Sequence, residues 1–195
     1  LRTFHDIADY ITINISSPNT ENLRNFHDEK KFDELINSME EEKIKLKSRI
    51  PIVVKISPDI LDNQIKLISE ILLRYKVSAI IISNTTEENR ENLKNILKHQ
   101  KGGLSGKPLE EKSNKLIAKF YDLLKGKVKI IGVGGVDSGK SAYKKFLAGA
   151  SYVQLYTGMI FQGPGIVRKI KKELKELLIN DGVANFREII GKNHN

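Results

Sequence analysis

Hydrogen-bonding side chains are concentrated in ITINISSPNT, residues 11–20. Three polar residues, Thr12, Asn14 and Ser16, alternate with isoleucines, as in a strand whose two faces differ in character. Further serine and asparagine residues surround Pro18, which ends strand pairing. This pattern fits an ordinary strand followed by a Ser/Asn/Pro turn. It also fits a set of donors and acceptors held at the carboxyl end of a strand.

A lysine interrupts a second apolar strand pattern, PIVVKISPD at residues 51–59. Lys55 shares one face with Val53 and Ser57, and a buried ammonium is costly without an anionic partner. Two alternatives follow. Either Lys55 reaches solvent from an edge strand along its apolar stem, or it is directed at a ligand that is, or becomes, negative.

Two glycine loops, KGGLSGKPL at 101–109 and GVGGVDSGK at 132–140, could bring backbone amides close to a ligand. The second contains GGVDSGKS at 134–141, which fits the G-x-x-x-x-G-K-[ST] phosphate-loop pattern and offers a nucleotide hydrolase as an alternative. Such an enzyme needs an acidic magnesium ligand on a nearby strand. The neighbouring strand patterns end instead in Lys55 and Asn84, which argues against it.

Strand and helix patterns alternate along the whole chain, and the polar residues above stand at strand ends. Repeated strand–helix units imply a parallel sheet, in which the carboxyl ends of the strands carry the chemistry. Strands are predicted at Tyr10–Ile15, Ile52–Ile56, Ala79–Ile82, Val128–Val133 and Tyr152–Tyr156. Helices are predicted at Glu29–Lys47, Asn63–Tyr75, Lys112–Leu124, Lys140–Ala148 and Ile166–Asn180.

Five such units fit either an open doubly wound sheet or part of a TIM (β/α)8 barrel. A complete barrel takes about 250 residues. On the barrel interpretation, residues 1–195 form the carboxyl-terminal part of one domain, with strands 4–8 present and the first three units absent. Asp59 or Asp62 is expected to cap the helix that begins near Asn63, and residues 89–100 fit either a polar helix or a loop.

Composition excludes several classes of function. The chain has no cysteine, which excludes disulfides and thiolate chemistry within it, and its four histidines are too scattered to suggest a metal site. No apolar run approaches the ~18 residues of a membrane span, and residues 1–30 do not have the pattern expected of a signal peptide. The net charge of +9 is spread over helix faces that also carry glutamates, so no nucleic-acid partner is expected.

Six stretches resemble, in the same order, the dihydroorotate dehydrogenases, which are flavin enzymes of pyrimidine biosynthesis. Ser17 and GPGIVRKIKKEL at 163–174 resemble the class 2, quinone-linked branch, whereas class 1 has cysteine at the position of Ser17. The stretches are NISSPNT, VVKISPD, ISNTT, GGLSGKPL, IIGVGGVDSGKSA and AGASYVQLYTGMIFQGP.

The resemblance implies oxidation of (S)-dihydroorotate to orotate in de novo UMP synthesis, with hydride transfer to FMN and re-oxidation by a quinone. It implies Ser17 as the catalytic base, Thr20 as a candidate proton relay and Lys55 as the cation that stabilises charge on the flavin. It further implies that four residues bind the substrate: Asn14, Asn19, Asn84 and Thr85. The implied FMN contacts are Asn14, Lys55, Ser83 (threonine in many relatives), Gly106, Gly135, Tyr156 and Thr157.

Class 2 resemblance also implies a peripheral location on the bacterial cytoplasmic membrane or the mitochondrial inner membrane, through an amino-terminal region absent here. Residues 1–195 alone are therefore expected to bind flavin poorly and to be inactive. Two alternatives remain open. A dihydrouridine synthase-like flavin enzyme would need a cysteine acid, which the chain lacks, and a non-enzymatic binding module would keep only the barrel fold.

Overall fold

The structure, a computed structural model, describes residues 1–20, 23–88, 90–91 and 93–194. It contains a five-stranded parallel sheet in which each strand pairs with the next one in the chain. A doubly wound sheet reverses its strand order at a switch point, whereas sequential order is the pattern of a barrel wall. The strands are β1 (Ile11–Asn14), β2 (Ile52–Lys55), β3 (Ala79–Ile82), β4 (Lys129–Val133) and β5 (Tyr152–Gln154).

Helices connect the successive strands, as the alternating pattern predicts. The first four each link one strand to the next, and the last two follow β5. They are α1 (Glu29–Lys45), α2 (Asp62–Arg74), α3 (Glu110–Leu124), α4 (Gly139–Leu147), α5 (Thr157–Gln162) and α6 (Ile166–Asn180). No helix among the described residues is both long enough and apolar enough to cross a bilayer.

The main hydrophobic core lies between one face of the sheet and helices α1 to α3. Phe32, Leu72 and Phe120 from the helices are fully buried against Val54 and Ile80 of the strands. Burial of these large side chains is what fixes the helices on the sheet. A second core holds α4 against α6 and the segments after it.

The opposite face of the sheet is mixed in character. Val53 and Ile81 are buried there, whereas Asn14 is exposed and Lys55 is half-buried. Asn14 pairs with Lys55 in the β1–β2 register, so the polar residues of the two strands share this face. The predicted polar face of the first strand is therefore confirmed.

Most predicted elements are present, with shifted ends. β5 stops at Gln154 instead of Tyr156, because α5, which was not predicted, begins at Thr157. The predicted cap of α2 is wrong: Leu61 occupies the cap position, and Asp62 is the first helical residue. Within the ambiguous stretch 89–100, a short 3-10 helix covers Ile96–His99, while positions 89 and 92 lie outside the described residues.

Candidate active site

A cleft of about 540 Å³ opens at the carboxyl ends of β2 to β5, within the size range of small-molecule sites. Eight of the predicted site residues line it: Lys55, Ser83, Asn84, Thr85, Gly106, Gly135, Tyr156 and Thr157. The other four stand in or after β1, beside this cleft along the same sheet edge: Asn14, Ser17, Asn19 and Thr20.

The hydroxyl of Ser17 is held by two donors from its own loop. The hydroxyl of Thr20 donates to Ser17 Oγ at 3.3 Å, and the backbone N–H of Asn19 donates to the same oxygen at 3.2 Å. Ser17 is half-buried, whereas Thr20 is exposed. The contact that the resemblance implies between these two hydroxyls is therefore present, and it leads from Ser17 towards solvent.

A chain of hydrogen bonds joins the ends of β1 and β3. The Asn84 side-chain nitrogen donates to Ser16 Oγ at 2.9 Å, and Ser16 Oγ donates to Asn14 Oδ1 at 2.5 Å. Ser16 is fully buried. The sequence analysis placed Ser16 on the polar face of the first strand but assigned it no role in the site. Its position in the sequence between two candidate site residues, Asn14 and Ser17, is the signal that could have identified it.

Lys55 lies on a strand that is paired on both sides, by β1 and by β3. The edge-strand alternative is therefore wrong. Burial lowers the pKa of Lys55, and no hydrogen bond or ion pair of its ammonium is found within the described residues. Lys55 thus presents a partly desolvated cation to the cleft, which suits a ligand carrying negative charge.

The two glycine loops bring backbone close to other groups of the cleft. Gly106 has φ +76°, and a Cβ there would lie 2.9 Å from Thr157 Cγ2. Gly135 also has φ +76°, and its Cβ would lie 2.5 Å from Glu110 Cβ. The hydroxyl of Thr157 donates to Ser105 Oγ at 3.0 Å. Both loops therefore require glycine, and hydroxyls and amides converge between them.

The loop that fits the phosphate-loop pattern is engaged by other parts of the protein. The Gly139 amide donates to Glu173 Oε2 of α6 at 2.6 Å, and Ser138 caps α4 through the Ser141 amide. Lys140 is exposed and does not line the cleft. A carboxylate of the protein thus binds where a nucleotide phosphate would have to sit, which argues against a nucleotide hydrolase.

Comparison with known proteins agrees with the geometry. The sequence profile of the family described as dihydroorotate dehydrogenase matches residues 1–178. The chain belongs to the dihydroorotate dehydrogenase family. The prediction of this family is confirmed.

Curated relatives of this family carry the name of the quinone-dependent class. The enzyme named dihydroorotate dehydrogenase (quinone) from Idiomarina loihiensis is 43% identical over 178 residues, 89% of this chain and 53% of the relative. The mitochondrial enzyme of that name from Mus musculus is 38% identical over 196 residues, 100% of this chain and 50% of the relative. The chain thus spans about half the length of the curated relatives it matches.

A solved structure of the family has the same fold. The crystal structure of dihydroorotate dehydrogenase from Eimeria tenella in complex with ferulenol superposes with a TM-score of 0.92 at 36% identity. The match covers 96% of this chain and 54% of that one. The five-stranded sheet is therefore the partial barrel that the sequence predicted.

Proposed function

We propose that this chain forms part of an enzyme that oxidises (S)-dihydroorotate to orotate in pyrimidine biosynthesis, with FMN as cofactor and a quinone as final electron acceptor. One observation carries the proposal: Ser17, the Asn14–Ser16–Asn84 chain and Lys55 converge at the carboxyl ends of three adjacent strands. That edge thus offers a proton acceptor, amides and a cation, in a member of the dihydroorotate dehydrogenase family.

The loop at residues 17–20, the Ser17 loop, carries out the proton transfer. Oxidation removes a proton from C5 and a hydride from C6 of the substrate. Ser17 Oγ takes the C5 proton as its own hydroxyl proton leaves. The Thr20 hydroxyl, which donates to Ser17 Oγ at 3.3 Å in the structure, rotates for this step and accepts the Ser17 proton on its oxygen. The Asn19 amide, bonded to the same oxygen, stabilises the charge that develops on it. Because Thr20 is exposed, the proton can continue to solvent.

Amide side chains hold the substrate. Dihydroorotate presents ring N–H donors, carbonyl acceptors and a carboxylate, and an amide can serve as donor and acceptor at once. Ser16 fixes Asn14 Oδ1 and the Asn84 side-chain nitrogen, and Asn84 Oδ1 accepts from the Thr85 amide at 2.8 Å. Asn14 therefore turns its side-chain nitrogen, a donor, towards a ligand, and Asn19 completes the substrate contacts.

The cleft fits FMN on two counts. The glycine cradles at Gly106 and Gly135, with the Thr157 hydroxyl between them, suit the ribityl phosphate. Lys55 and Ser83, which also line the cleft, would hold the ring system, and Lys55 would supply positive charge to it. When bound, FMN supplies the hydride acceptor for C6 and the route of the electrons to quinone. Asn14 and Tyr156 complete the residues that would hold it.

The quinone acceptor is proposed from the names of the relatives. Because respiratory quinones reside in membranes, the place of action would be the surface of the bacterial cytoplasmic or the mitochondrial inner membrane.

The test is a Ser17→Ala variant of the full-length gene product, purified with FMN. We expect dihydroorotate to reduce the flavin about 10²- to 10⁴-fold more slowly, with FMN content and orotate binding retained. Ser38→Ala is the control, since Ser38 is exposed on α1 and its hydroxyl donates to Glu34 O of the same helix. Undiminished oxidation in Ser17→Ala would remove Ser17 from the mechanism. A wild-type protein that forms no orotate would overturn the proposed function.

A further inference from the structure

Asp59 is a nearly buried carboxylate just beyond the end of β2, and it is not among the residues that line the cleft. Its side chain is 8% exposed. Oδ1 accepts hydrogen bonds from Thr86 Oγ1 and from Lys112 Nζ, both at 2.5 Å. Oδ2 accepts from the Glu87 amide at 2.9 Å, and Arg24 Nη2 lies 3.4 Å from it. One carboxylate thus binds four groups.

Three of these four partners lie in or next to segments that carry candidate substrate residues, and the fourth, Lys112, lies in α3. Thr86 and Glu87 directly follow Asn84 and Thr85 at the end of β3. Arg24 lies in the short 3-10 helix Leu23–His27, close in sequence to the Ser17 loop. Asp59 therefore joins the segment after β1 to the segment after β3, across the end of β2.

Asp59 and its four partners, Arg24, Thr86, Glu87 and Lys112, form a hub of hydrogen bonds and ion pairs. This hub also contacts the first glycine loop, residues 101–109. Thr86 pairs through its backbone with Leu104: the Thr86 amide donates to Leu104 O at 3.1 Å, and the Leu104 amide donates to Thr86 O at 2.7 Å. Next to Leu104, Gly103 packs so closely that a Cβ there would lie 3.3 Å from Pro18 Cγ and 1.8 Å from Thr85 Oγ1. A shift of Thr86 would thus displace the first glycine loop through Leu104, and through Gly103 it would also displace the loop that contains Pro18.

Charge matters in this hub as well as geometry. Arg24 Nε and Nη2 are buried and find no hydrogen-bond partner among the described residues, so the contact of Nη2 with Asp59 is an ion pair. Arg24 Nη1 donates to Glu87 Oε2 at 2.9 Å. The positive charge on the buried nitrogens of the Arg24 guanidinium is therefore balanced by the negative charge of Asp59. A neutral isostere at position 59 would leave a buried part of this cation without compensation.

The Asp59 carboxylate is ionised under assay conditions. Burial by itself raises the pKa of this carboxyl, but hydrogen bonds from Lys112, Thr86 and the Glu87 amide outweigh it and hold the pKa below the usual value. The hub therefore keeps its charge at neutral pH.

We propose that Asp59 is a positioning residue for substrate binding, which sets the placement of the Ser17 loop relative to the Asn84–Thr85 segment. The assignment rests on the proposed function in that both segments are taken to bind dihydroorotate. None of the four Asp59 partners belongs to Gly106, Gly135 or Thr157, the cradle proposed for the FMN phosphate. Loss of Asp59 should therefore affect the substrate more than the cofactor.

The test compares Asp59→Asn with Asp62→Asn in the full-length gene product loaded with FMN. Asp62 is a matched control, because it lies three residues further on, its side chain is 80% exposed, and within the part of the chain that the structure describes its one ion pair is with Lys119. We expect Asp59→Asn to raise KM for dihydroorotate and Kd for orotate about 10- to 100-fold, with FMN content retained and kcat less affected. Asp59→Glu should recover part of the loss, and Asp62→Asn should behave as wild type.

A second readout needs no substrate. Amide hydrogen exchange should become faster in Asp59→Asn at residues 16–20 and 84–87 together, and not in Asp62→Asn. Unchanged exchange and unchanged KM would overturn the assignment. So would a lower Tm and lost FMN with an unchanged KM, which would make Asp59 a purely structural residue. If wild type fails to oxidise dihydroorotate, the proposed function falls, and the exchange data still decide the positioning role.

Thr86→Val covers the case in which Asp59→Asn does not fold. This variant removes the hydrogen bond from Thr86 to Asp59, together with those that Thr86 Oγ1 accepts from the Glu88 amide and from Lys112 Nζ, and leaves the carboxylate paired with Lys112 and Arg24. We expect a KM increase in the same direction, about 5-fold, because Asp59 itself loses one hydrogen bond and keeps its charge. A KM equal to that of wild type in folded Thr86→Val would overturn the assignment.

Discussion

The Asn84 side-chain nitrogen donates a 2.9 Å hydrogen bond to the hydroxyl of Ser16, and this bond connects the ends of β3 and β1 across β2. Because Ser16 in turn donates to Asn14, the two asparagines have fixed orientations before any ligand arrives. Preorganisation of this kind lowers the entropic cost of binding. Ser16 therefore supports both amides without necessarily touching the substrate.

Ser16→Ala should weaken substrate binding. The change removes both hydrogen bonds of the Ser16 hydroxyl. Each amide then keeps one backbone hydrogen bond, from the Ser16 amide to Asn14 Oδ1 and from the Thr85 amide to Asn84 Oδ1, and is held less firmly. We therefore expect KM for dihydroorotate to rise about 5- to 10-fold, as for one or two lost hydrogen bonds. Ser69→Ala is the matched control, because Ser69 is equally buried and its hydroxyl bonds, among the described residues, to Ile65 O within α2. Steady-state kinetics measures the effect, and equal KM values for the two variants would contradict the role of Ser16.

Lys55→Met should make the flavin harder to reduce. A fixed cation beside the ring stabilises the negative charge that accompanies reduction, so we expect a lower midpoint potential of bound FMN and about 10²-fold slower reduction by dihydroorotate. Lys66→Met, at an exposed position of α2, should change neither quantity. Spectroelectrochemistry measures the potential without substrate. A wild-type potential in Lys55→Met would show that Lys55 does not act on the flavin.

Gly135→Ala should abolish FMN retention, whereas Gly126→Ala should not. Both glycines have positive φ, +76° and +74°, so both substitutions carry a backbone penalty of about 1–2 kcal/mol. Only at Gly135 would the new methyl also clash, 2.5 Å from Glu110 Cβ and 2.8 Å from Glu110 Cα. The flavin-to-protein absorbance ratio of the purified variants measures the difference. Equal ratios would show that the second glycine loop does not hold the cofactor.

Local patterns predicted most of the fold. Ile166–Asn180 was predicted residue for residue, because an amphipathic stripe of four turns is set by the sequence alone. The six residues of α5 are too few to show such a stripe, so this helix was missed. Short strands rich in isoleucine and valine, buried on both faces, are equally recognisable.

Tertiary partners explain what sequence reasoning could not predict. Asp59 or Asp62 was expected to cap α2, since a local rule assigns acidic residues to helix starts, and Asp59 does not do so. It binds instead Thr86 and Lys112, which are 27 and 53 residues away. Lys145 is similar: it resembles any surface lysine of an amphipathic helix, yet it is fully buried. The missing Cβ of Gly132, which would lie 3.0 Å from Lys145 Cδ, makes room for it.

The buried Lys145 should make stability depend on pH. Its ammonium donates to Ser113 Oγ at 3.0 Å and to Asn114 Oδ1 at 2.9 Å, and burial lowers its pKa to about 7, partly offset by the charge of Glu110. In the unfolded chain the pKa is near the ordinary lysine value of about 10.4. Between these two values the unfolded state binds more protons, so the free energy of unfolding rises with pH.

Lys145→Met removes this dependence. Relative to the variant, wild type should gain about 1 kcal/mol per pH unit between pH 7 and 9, and the difference between them should be constant well below pH 7, where both states of Lys145 are protonated. Urea unfolding at several pH values measures it, with Lys140→Met, an exposed position on the same helix, as the control. Other titrating groups cancel in the comparison. Parallel pH curves for wild type and Lys145→Met would mean that Lys145 has an ordinary pKa in the folded protein.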